Sequence, residues 1–271
     1  MSLRLIASLS SVACMVSAYS PIEYGNFVYQ SKDASPVTMI INTTKDGMAR
    51  FTIECGRRYE GDWFRMQKED SEGVLDDDIL NEFPTGSYEH RKLLHYSQQV
   101  CPQLHIESEN FRSFYVDNDG NSETELESDY VVLKRQWLPL AEGRYMSGSE
   151  SQMDMHFDVH ADGLVYVRLG CRALPGRPAD GHFPAEPPTP AGSTNFMLFR
   201  LVSKGNHYEL APYPGHRDTV AGLISSFKQA CPTWKDSFDF EEEFKTVKFA
   251  TPDIMYAYGD YIYDRLFRHP F

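Results

Sequence analysis

The side chains best suited to chemistry form an alternating series of aspartate and histidine between Asp154 and Asp162. Alternate residues of a β-strand share one face, so these carboxylates and imidazoles would all point away from the core. His156, Asp158 and His160 form a candidate site for zinc or a similar ion, because such groups bind these metals. His156 and His160 would lie about 13 Å apart, so a neighbouring strand would have to supply a further ligand. A solvated strand face is the simpler interpretation, and we therefore predict no metal and no cofactor.

Other acidic segments are weaker candidates for a cation site. Residues 117–123 have the composition of a calcium loop, but the glycine is the fourth residue. An EF-hand loop has its glycine at the sixth position and ends in a glutamate ligand. Asn-Asp-Gly between two strands is more simply a turn. We expect the acidic runs at 76–78 and 241–243 to be solvated surface.

The sequence contains none of the common catalytic motifs. It has no Gly-x-Ser-x-Gly turn, no His-Glu-x-x-His helix and no glycine-rich phosphate loop. All cysteines of the mature chain are expected in disulfides, which leaves no thiol nucleophile. We therefore predict no catalytic residues. A hydrolase whose site is assembled from residues far apart in sequence is the alternative.

The first 18 residues predict export from the cell. One basic residue, Arg4, precedes an apolar run from Leu5 to Val16 and two small residues, which is the pattern of a cleaved signal peptide. The run is too short to span a bilayer. The alternative is an N-terminal core helix or an uncleaved anchor. We expect a secreted, extracellular protein that begins at Tyr19.

The formal net charge of −13 restricts the partners. Nucleic acid and anionic membranes both require clustered lysine and arginine, so neither is expected. Cationic partners stay open, although solubility alone also accounts for the charge. The Asn-Thr-Thr sequon at Asn42 predicts a glycosylation site in an exported chain.

The cysteines and their surroundings indicate an internal duplication. Cys14 leaves with the leader, and the four that remain can pair in three ways. An Asp-Gly lies eight residues before Cys55 and before Cys171, counted from the glycine, and Gln-x-Cys-Pro surrounds Cys101 and Cys231. Both halves open on Gly-x-aromatic. We predict two tandem domains, 19–138 and 139–271, the second carrying a proline-rich loop at 174–192.

Local patterns assign each cysteine to an element. Alternation on both sides of Asp-Gly predicts hairpins whose second strands end at Cys55 and Cys171. Apolar residues at helical spacing lead to Cys231 and, less regularly, to Cys101. A helix packed on the sheet would bring the two sulfurs of one domain together. We therefore predict the disulfides Cys55–Cys101 and Cys171–Cys231.

Three further strand patterns follow each predicted helix. They cover residues 111–116, 123–126 and 130–134 in the first domain, and 244–249, 254–258 and 261–267 in the second. Each domain is thus predicted as about four strands, a helix and three strands (ββββ-α-βββ). The predicted fold class is β-rich α+β, with two tandem copies of a curled antiparallel sheet packed on one helix.

The leader, the Gly-x-aromatic start, the Asp-Gly-x7-Cys hairpin and the Cys-Pro after a helix together form a recognisable combination. It is similar to secreted protein families of perkinsozoan (alveolate) parasites, and the resemblance covers most of both halves. The resemblance implies secretion and a host-facing role. It implies no activity and no functional residues, because none are known for those families.

The expected function is that of a secreted, non-enzymatic binding protein whose partner is an extracellular protein or glycan. Two copies would offer two sites and avidity. The alternative is a carrier that holds a small apolar ligand inside each curled sheet. A carrier needs a cavity of about 300–1,000 Å³ in each copy. A binding module needs filled cores and an exposed aromatic patch.

Overall fold

The computed structural model describes residues 24–31, 36–68, 81–83, 86–117, 119–148, 151–173, 188–234, 243–258 and 263–270. The predicted leader, the acidic run at 76–78 and most of the proline-rich loop lie outside these residues. In the described part of the chain, no helix has the length and apolar composition needed to cross a membrane. We call residues 24–135 the first half and residues 143–270 the second half.

The first half is a curled antiparallel sheet with one helix. Its elements are β1 (Gly25–Gln30), β2 (Thr38–Thr43), β3 (Met48–Glu54), β4 (Arg58–Glu60), β5 (Phe64–Arg65), β6 (Gln67–Lys68), β7 (Asn81–Glu82), α1 (Tyr88–Val100), β8 (Ser113–Val116), β9 (Ser122–Leu126) and β10 (Asp129–Arg135). The strand order is β4-β3-β2-β1-β10-β9-β8-β7-β6. Because β5 pairs with β3 and β6 pairs with β7, residues 64–68 join the two sides of the curl.

The second half is a closed antiparallel barrel. Its elements are β11 (Gly143–Ser147), β12 (His156–Val159), β13 (Leu164–Arg168), β14 (Gly170–Cys171), β15 (Gly192–Ser193), β16 (Met197–Ser203), β17 (Tyr208–Pro212), α2 (Val220–Ala230), β18 (Thr246–Thr251), β19 (Ile254–Tyr258) and β20 (Tyr263–His269). The barrel runs β11-β12-β13-β16-β17-β18-β19-β20 and closes by pairing β20 with β11. Strands β14 and β15 form a separate pair.

Both Asp-Gly hairpins are present where the sequence predicts them. Strand β2 pairs with β3, and β12 pairs with β13, each across an Asp-Gly turn. Gly47 and Gly163 have φ angles of +78° and +83°. Glycine has no Cβ and adopts this region without strain, which fixes the turn and hence the register of the flanking strands.

Apolar side chains on the inner faces form one hydrophobic cluster in each half. In the second half, the cluster contains Phe157, Phe199 and Phe249 from the barrel together with Leu223 and Phe227 from α2. The first half has a corresponding cluster, and its fully buried aromatic members are Phe27, Phe51, Phe83 and Phe111. Removing this apolar surface from water is the main stabilisation of such a sheet.

Both predicted disulfides are present. Cys55, directly after β3, is bonded to Cys101, at the C-terminal end of α1. Cys171, in β14, is bonded to Cys231, at the C-terminal end of α2. The bridged residues are 46 and 60 positions apart in sequence. Each bridge is worth roughly 4 kcal/mol in the chain-entropy model of the unfolded state.

The two halves meet around Arg135, at the end of β10. Its guanidinium donates from Nε to the carbonyl of Gly120 at 2.6 Å and from Nη1 to the carbonyl of Tyr24 at 2.8 Å. The same group lies 5.5 Å from the ring centroids of Trp137 and Tyr256. Arg135 is buried, so its charge is stabilised by carbonyl dipoles and aromatic faces. This side chain therefore contacts the first half, the connecting segment and the second half at once.

Further contacts across the junction come from Asp253, in the β18–β19 turn. Its Oδ2 accepts a hydrogen bond from the Tyr24 hydroxyl at 2.9 Å. The same oxygen forms an ion pair with Lys45 Nζ at 3.0 Å. Leu138 also forms an isolated bridge with Phe249. The connecting segment is thus bound to the second barrel through its backbone.

Two details of the sequence prediction are wrong. Four strands before each helix are too few, because the described chain breaks into shorter strands around residues 58–82 and 170–193. Phe111 and Phe244, predicted to begin strands, have φ angles of +56° and +58°. Both rings are fully buried, and burial of the aromatic side chain offsets the cost of this backbone conformation.

Gly192 tests the packing of α2 against the small β14–β15 sheet. A Cβ on Gly192 would overlap the backbone carbonyl of Ala230 at the end of α2. We expect Gly192→Ala to destabilise the protein by about 3 kcal/mol, because the helix end must move. Thermal unfolding measures the change. Ser193→Ala, at the exposed neighbouring position, should stay within about 0.5 kcal/mol of wild type. Equal melting temperatures for the two variants would contradict the described packing.

Candidate interaction surface

The outer face of strands β8, β9 and β10 carries an ordered array of tyrosine and glutamate. Tyr115 pairs with Glu123, which in turn pairs with Val132. Two residues along β9, Glu125 pairs with Tyr130. Alternation along each strand directs these side chains outward and their neighbours toward the core. We call these five residues the acid–aromatic face.

A shallow concavity lies on this face. Its volume is about 300 Å³, and Tyr115, Val116, Asp117, Glu123 and Tyr130 line it. The rings of Tyr115 and Tyr130 meet edge to face, with their centroids 6.3 Å apart. Tyr130 is 65% exposed. Much of its aromatic surface is therefore available to a partner.

Neither carboxylate of the face has a cationic residue directly opposite it on a paired strand, although Lys134 lies on the same outward side of β10, two residues from Val132. Glu123 and Glu125 point to the same side of β9, about 7 Å apart. Tyr115, Val132 and Tyr130 are their cross-strand neighbours, and all three are uncharged. Neither glutamate makes an ion pair with any other described residue. Two carboxylates on one side of a strand attract a cation, so the array favours a cationic partner.

Strands β18 and β19 of the second half carry a face with a similar pairing pattern, and the chain itself covers it. Tyr115 and Lys248 are 133 residues apart, as are Glu123 and Tyr256. Lys248 pairs with Tyr256 as Tyr115 pairs with Glu123. Tyr256 is fully buried, and its ring contacts Trp137 at a centroid distance of 5.7 Å.

Lys248 occupies an aromatic environment on this covered face. Its Nζ lies 4.3 Å from the ring centroid of Tyr258 and 4.9 Å from that of Trp137. Burial lowers the pKa of Lys248, and the negative charges of Asp119 and Asp117 oppose that shift. An ammonium group is therefore held against aromatic rings with carboxylates nearby.

The Asp/His series is arranged as a network of ion pairs. Asp158 Oδ1 accepts a hydrogen bond from Arg144 Nε at 2.9 Å and lies 3.0 Å from His156 Nε2. Burial tends to raise the pKa of Asp158, but these hydrogen bonds outweigh it and lower the pKa. Asp154 accepts a hydrogen bond from Arg168 at 3.2 Å. Arginine cations thus neutralise both carboxylates.

The prediction of a solvated face is wrong for His156. The side chain is buried, and its ring contacts that of Phe196 at a centroid distance of 4.9 Å. Phe196 follows β15 in sequence and covers this part of β12, which strand periodicity alone does not reveal. His160 is exposed and lies beside Tyr166 instead. Over the described ranges, no three His, Cys, Asp or Glu side chains converge as metal ligands would.

The 117–123 segment adjoins the acid–aromatic face, because Asp117 and Glu123 line its concavity, whereas the other predicted features lie apart from it. Asp117 accepts hydrogen bonds from the backbone and side-chain nitrogens of Asn121, at 2.7 and 3.0 Å, and so closes a turn. Asn42 lies on the outward side of β2 and is partly exposed. Glu243 is fully buried, which corrects the prediction that the run at 241–243 is solvated. The other two residues of that run lie outside the described ranges.

A polar cluster at one edge of the second barrel bears on the hydrolase alternative. Ser147 and Ser151 both donate hydrogen bonds to Asp264 Oδ2, at 2.8 and 2.6 Å. Their hydroxyl oxygens accept from the backbone nitrogens of Met155 and Met153. The hydrogen bonds of each serine thus connect the segment between β11 and β12 to Asp264 of β20. Neither hydroxyl is hydrogen-bonded to a histidine, as an activated serine nucleophile would be.

Sequence reasoning missed the acid–aromatic face because it depends on cross-strand register. The three strands were predicted, but the turn between β9 and β10 lacks glycine and asparagine. It consists of Glu127 and Ser128, both with positive φ (54° and 69°). Two such residues form the two-residue hairpin turn that sets the register. The alternation of Glu123 and Glu125 was the signal that the sequence did offer.

Comparisons with known proteins identify no relative. No protein-family model matches the chain, no curated protein matches it, and no solved structure matches its fold. The resemblance to perkinsozoan secreted families therefore stays a prediction from the motifs.

Asp264 provides a test by pH. Burial raises the pKa of Asp264, against the hydrogen bonds from Ser151 and Ser147. The folded protein then binds a proton on Asp264 more tightly than the unfolded chain does. The protonated carboxyl therefore stabilises the folded state at low pH, and this stabilisation is lost as the pH rises through the raised pKa. We expect Asp264→Asn to become more stable relative to wild type as pH rises from 4 to 7. Urea midpoints at each pH measure the difference.

Asp253→Asn is the matched control of opposite sign. The hydrogen bond from Lys45, and then that from Tyr24, lower the pKa of Asp253. Its stabilisation is present above the ordinary carboxyl pKa and is lost on acidification. This variant should therefore lose stability relative to wild type as the pH rises from about 2 to 5, so its urea midpoints are measured over that range. Parallel pH curves for the two variants would rule out the described environments.

Proposed function

We propose that the protein is a secreted, non-enzymatic binding protein that contacts an extracellular partner through the acid–aromatic face. The observation that carries the proposal is the concavity of about 300 Å³ beside Tyr130, which is 65% exposed. Tyrosine supplies a rigid and amphipathic contact area, and it is enriched at binding interfaces for that reason. The described chain offers this surface without help from a second molecule.

The filled interiors of the described chain support binding outside the curled sheet and the barrel over transport inside them. A cavity in the first half, lined by Phe27, Ile41 and Phe114 among others, has a volume of about 10 Å³. Such a space holds one water molecule at most. In the second barrel, Phe157, Phe199 and neighbouring residues have no exposed surface. A carrier would have to displace these side chains to admit an apolar ligand.

We also propose that the two halves are copies of one domain, divided between 138 and 139 as the sequence predicts. The first strand of each half begins with a glycine that pairs with the neighbouring strand. Gly25 pairs with Thr43, and Gly143 pairs with Val159, at the positions that the alignment of the two halves makes equivalent. Phe27 faces Arg135 across β1 and β10, and Tyr145 faces Arg268 across β11 and β20. In both cases the arginine lies over the opening glycine, where a Cβ would come within 2.7 Å of it.

The disulfides support the extracellular location, because such bonds persist in oxidising compartments. We therefore propose cleavage before Tyr19 and glycosylation of Asn42. Expression in a eukaryotic secretion host should release a chain whose N-terminal sequence begins at Tyr19. A mass that falls on treatment with an N-glycosidase, and that Asn42→Gln abolishes, would establish the sugar. Retention in the cell with an intact leader would contradict the proposal.

Selection of a displayed random-peptide library on the purified, oxidised protein tests the binding function. We expect enriched peptides with dissociation constants in the micromolar range, which corresponds to about 8 kcal/mol. Tyr130→Ala should weaken them at least tenfold, whereas Tyr166→Ala, at an exposed tyrosine of β13, should not. A fluorescent fatty acid measured in parallel should show no saturable binding. Saturable fatty-acid binding without peptide enrichment would favour the carrier instead.

A further inference from the structure

We infer that the acid–aromatic face binds a cationic side chain, lysine or arginine, presented by a partner protein. The inference rests on the proposed binding function and specifies its chemistry. A cation is attracted to the face of an aromatic ring and to carboxylates beside it. Both kinds of group line the concavity.

The charge distribution selects a cation over an anion or a neutral sugar. Glu123 and Asp117 line the concavity, and Glu125 lies two residues along the same strand from Glu123. Lys134 is the described cation on the outward side of β10, and it makes no ion pair with either glutamate. A phosphate or carboxylate would be repelled at this position. A neutral ligand would leave the two glutamates without a counter-charge in a partly desolvated interface, which is costly.

The protein itself contains the corresponding arrangement in its second half. There Lys248 stands at the position equivalent to Tyr115 and contacts the ring of Tyr258, which is equivalent to Glu125. Trp137 from the connecting segment covers the lysine. The same three-strand surface thus holds an ammonium group where the chain covers it. In the first half, tyrosine and glutamate occupy the equivalent positions, and neither glutamate makes an ion pair with another described residue.

The size of the concavity agrees with this occupant. About 300 Å³ accommodates the end of a lysine or arginine side chain together with part of its aliphatic stem. Tyr130 and Val132 provide the apolar surface against which such a stem packs, since Val132 is 38% exposed. Only an interface of several such contacts would be tight, because one exposed cation–π contact contributes little by itself.

The test is a nuclear magnetic resonance titration of the whole oxidised protein with small probes. N-acetyl-lysine methylamide and N-acetyl-arginine methylamide present the cation, and N-acetyl-norleucine methylamide is the neutral control. We expect the two cationic probes to shift the ring resonances of Tyr115 and Tyr130 saturably, with dissociation constants in the millimolar range. The norleucine probe should leave these resonances in place. Raising the salt concentration should weaken the response.

Variants assign the effect to the face. Tyr130→Ala and Glu123→Gln should each weaken binding of the lysine probe by about threefold or more, read from Tyr115. Both positions face outward, so neither variant should disturb folding. Tyr166→Ala is the control and should bind the probe as wild type does.

Three results would overturn the inference: no shift of either ring, an equal response to norleucine, or unchanged binding in Glu123→Gln. The titration and the peptide selection can fail independently, so failure of the cation site is distinguishable from failure of the proposed binding function. If selected peptides bind but the lysine and arginine probes do not, the binding function stands and the cation site falls. If no peptide is enriched, the proposed function itself fails.

Discussion

The filling of the two interiors is the constraint on which the rest of the molecule depends. Alternate residues of the long strands point inward, and most of the inner positions are occupied by buried apolar side chains. Close packing of this kind tolerates little change in volume. The outer positions, by contrast, can change without disturbing the core. The acid–aromatic face is composed entirely of such outer positions.

The two halves differ most where those outer positions serve different purposes. On the second half, Lys248 and Tyr256 lie beneath Trp137 and help to fix one half against the other. On the first half, Tyr115 and Glu123 stand at the positions that the proposed alignment matches to them, and both line the concavity. Arg135 completes the junction by contacting both halves. On the proposed alignment of the two halves, a surface that joins them in the second half is thus partly exposed in the first.

Sequence patterns predicted much of this fold and little of its site. The Asp-Gly hairpins, both helices and the pairing of Cys55 with Cys101 and of Cys171 with Cys231 follow from local periodicity, which reports one strand or helix at a time. The face on β8–β10 depends on a turn at Glu127 that has no glycine. The burial of His156 depends on Phe196, a residue far along the chain. The periodicity of apolar residues along one strand shows neither which residues pair with it on a neighbouring strand nor which distant side chain packs over it.

The central claim is that partners bind outside the barrels, at the acid–aromatic face. Its most direct test is to record intermolecular nuclear Overhauser effects in a complex of the protein with a selected lysine-containing peptide. The account predicts contacts from the lysine methylene protons to the rings of Tyr115 and Tyr130. Contacts from the peptide to inner residues such as Phe157 or Phe199, with none to those tyrosines, would contradict it.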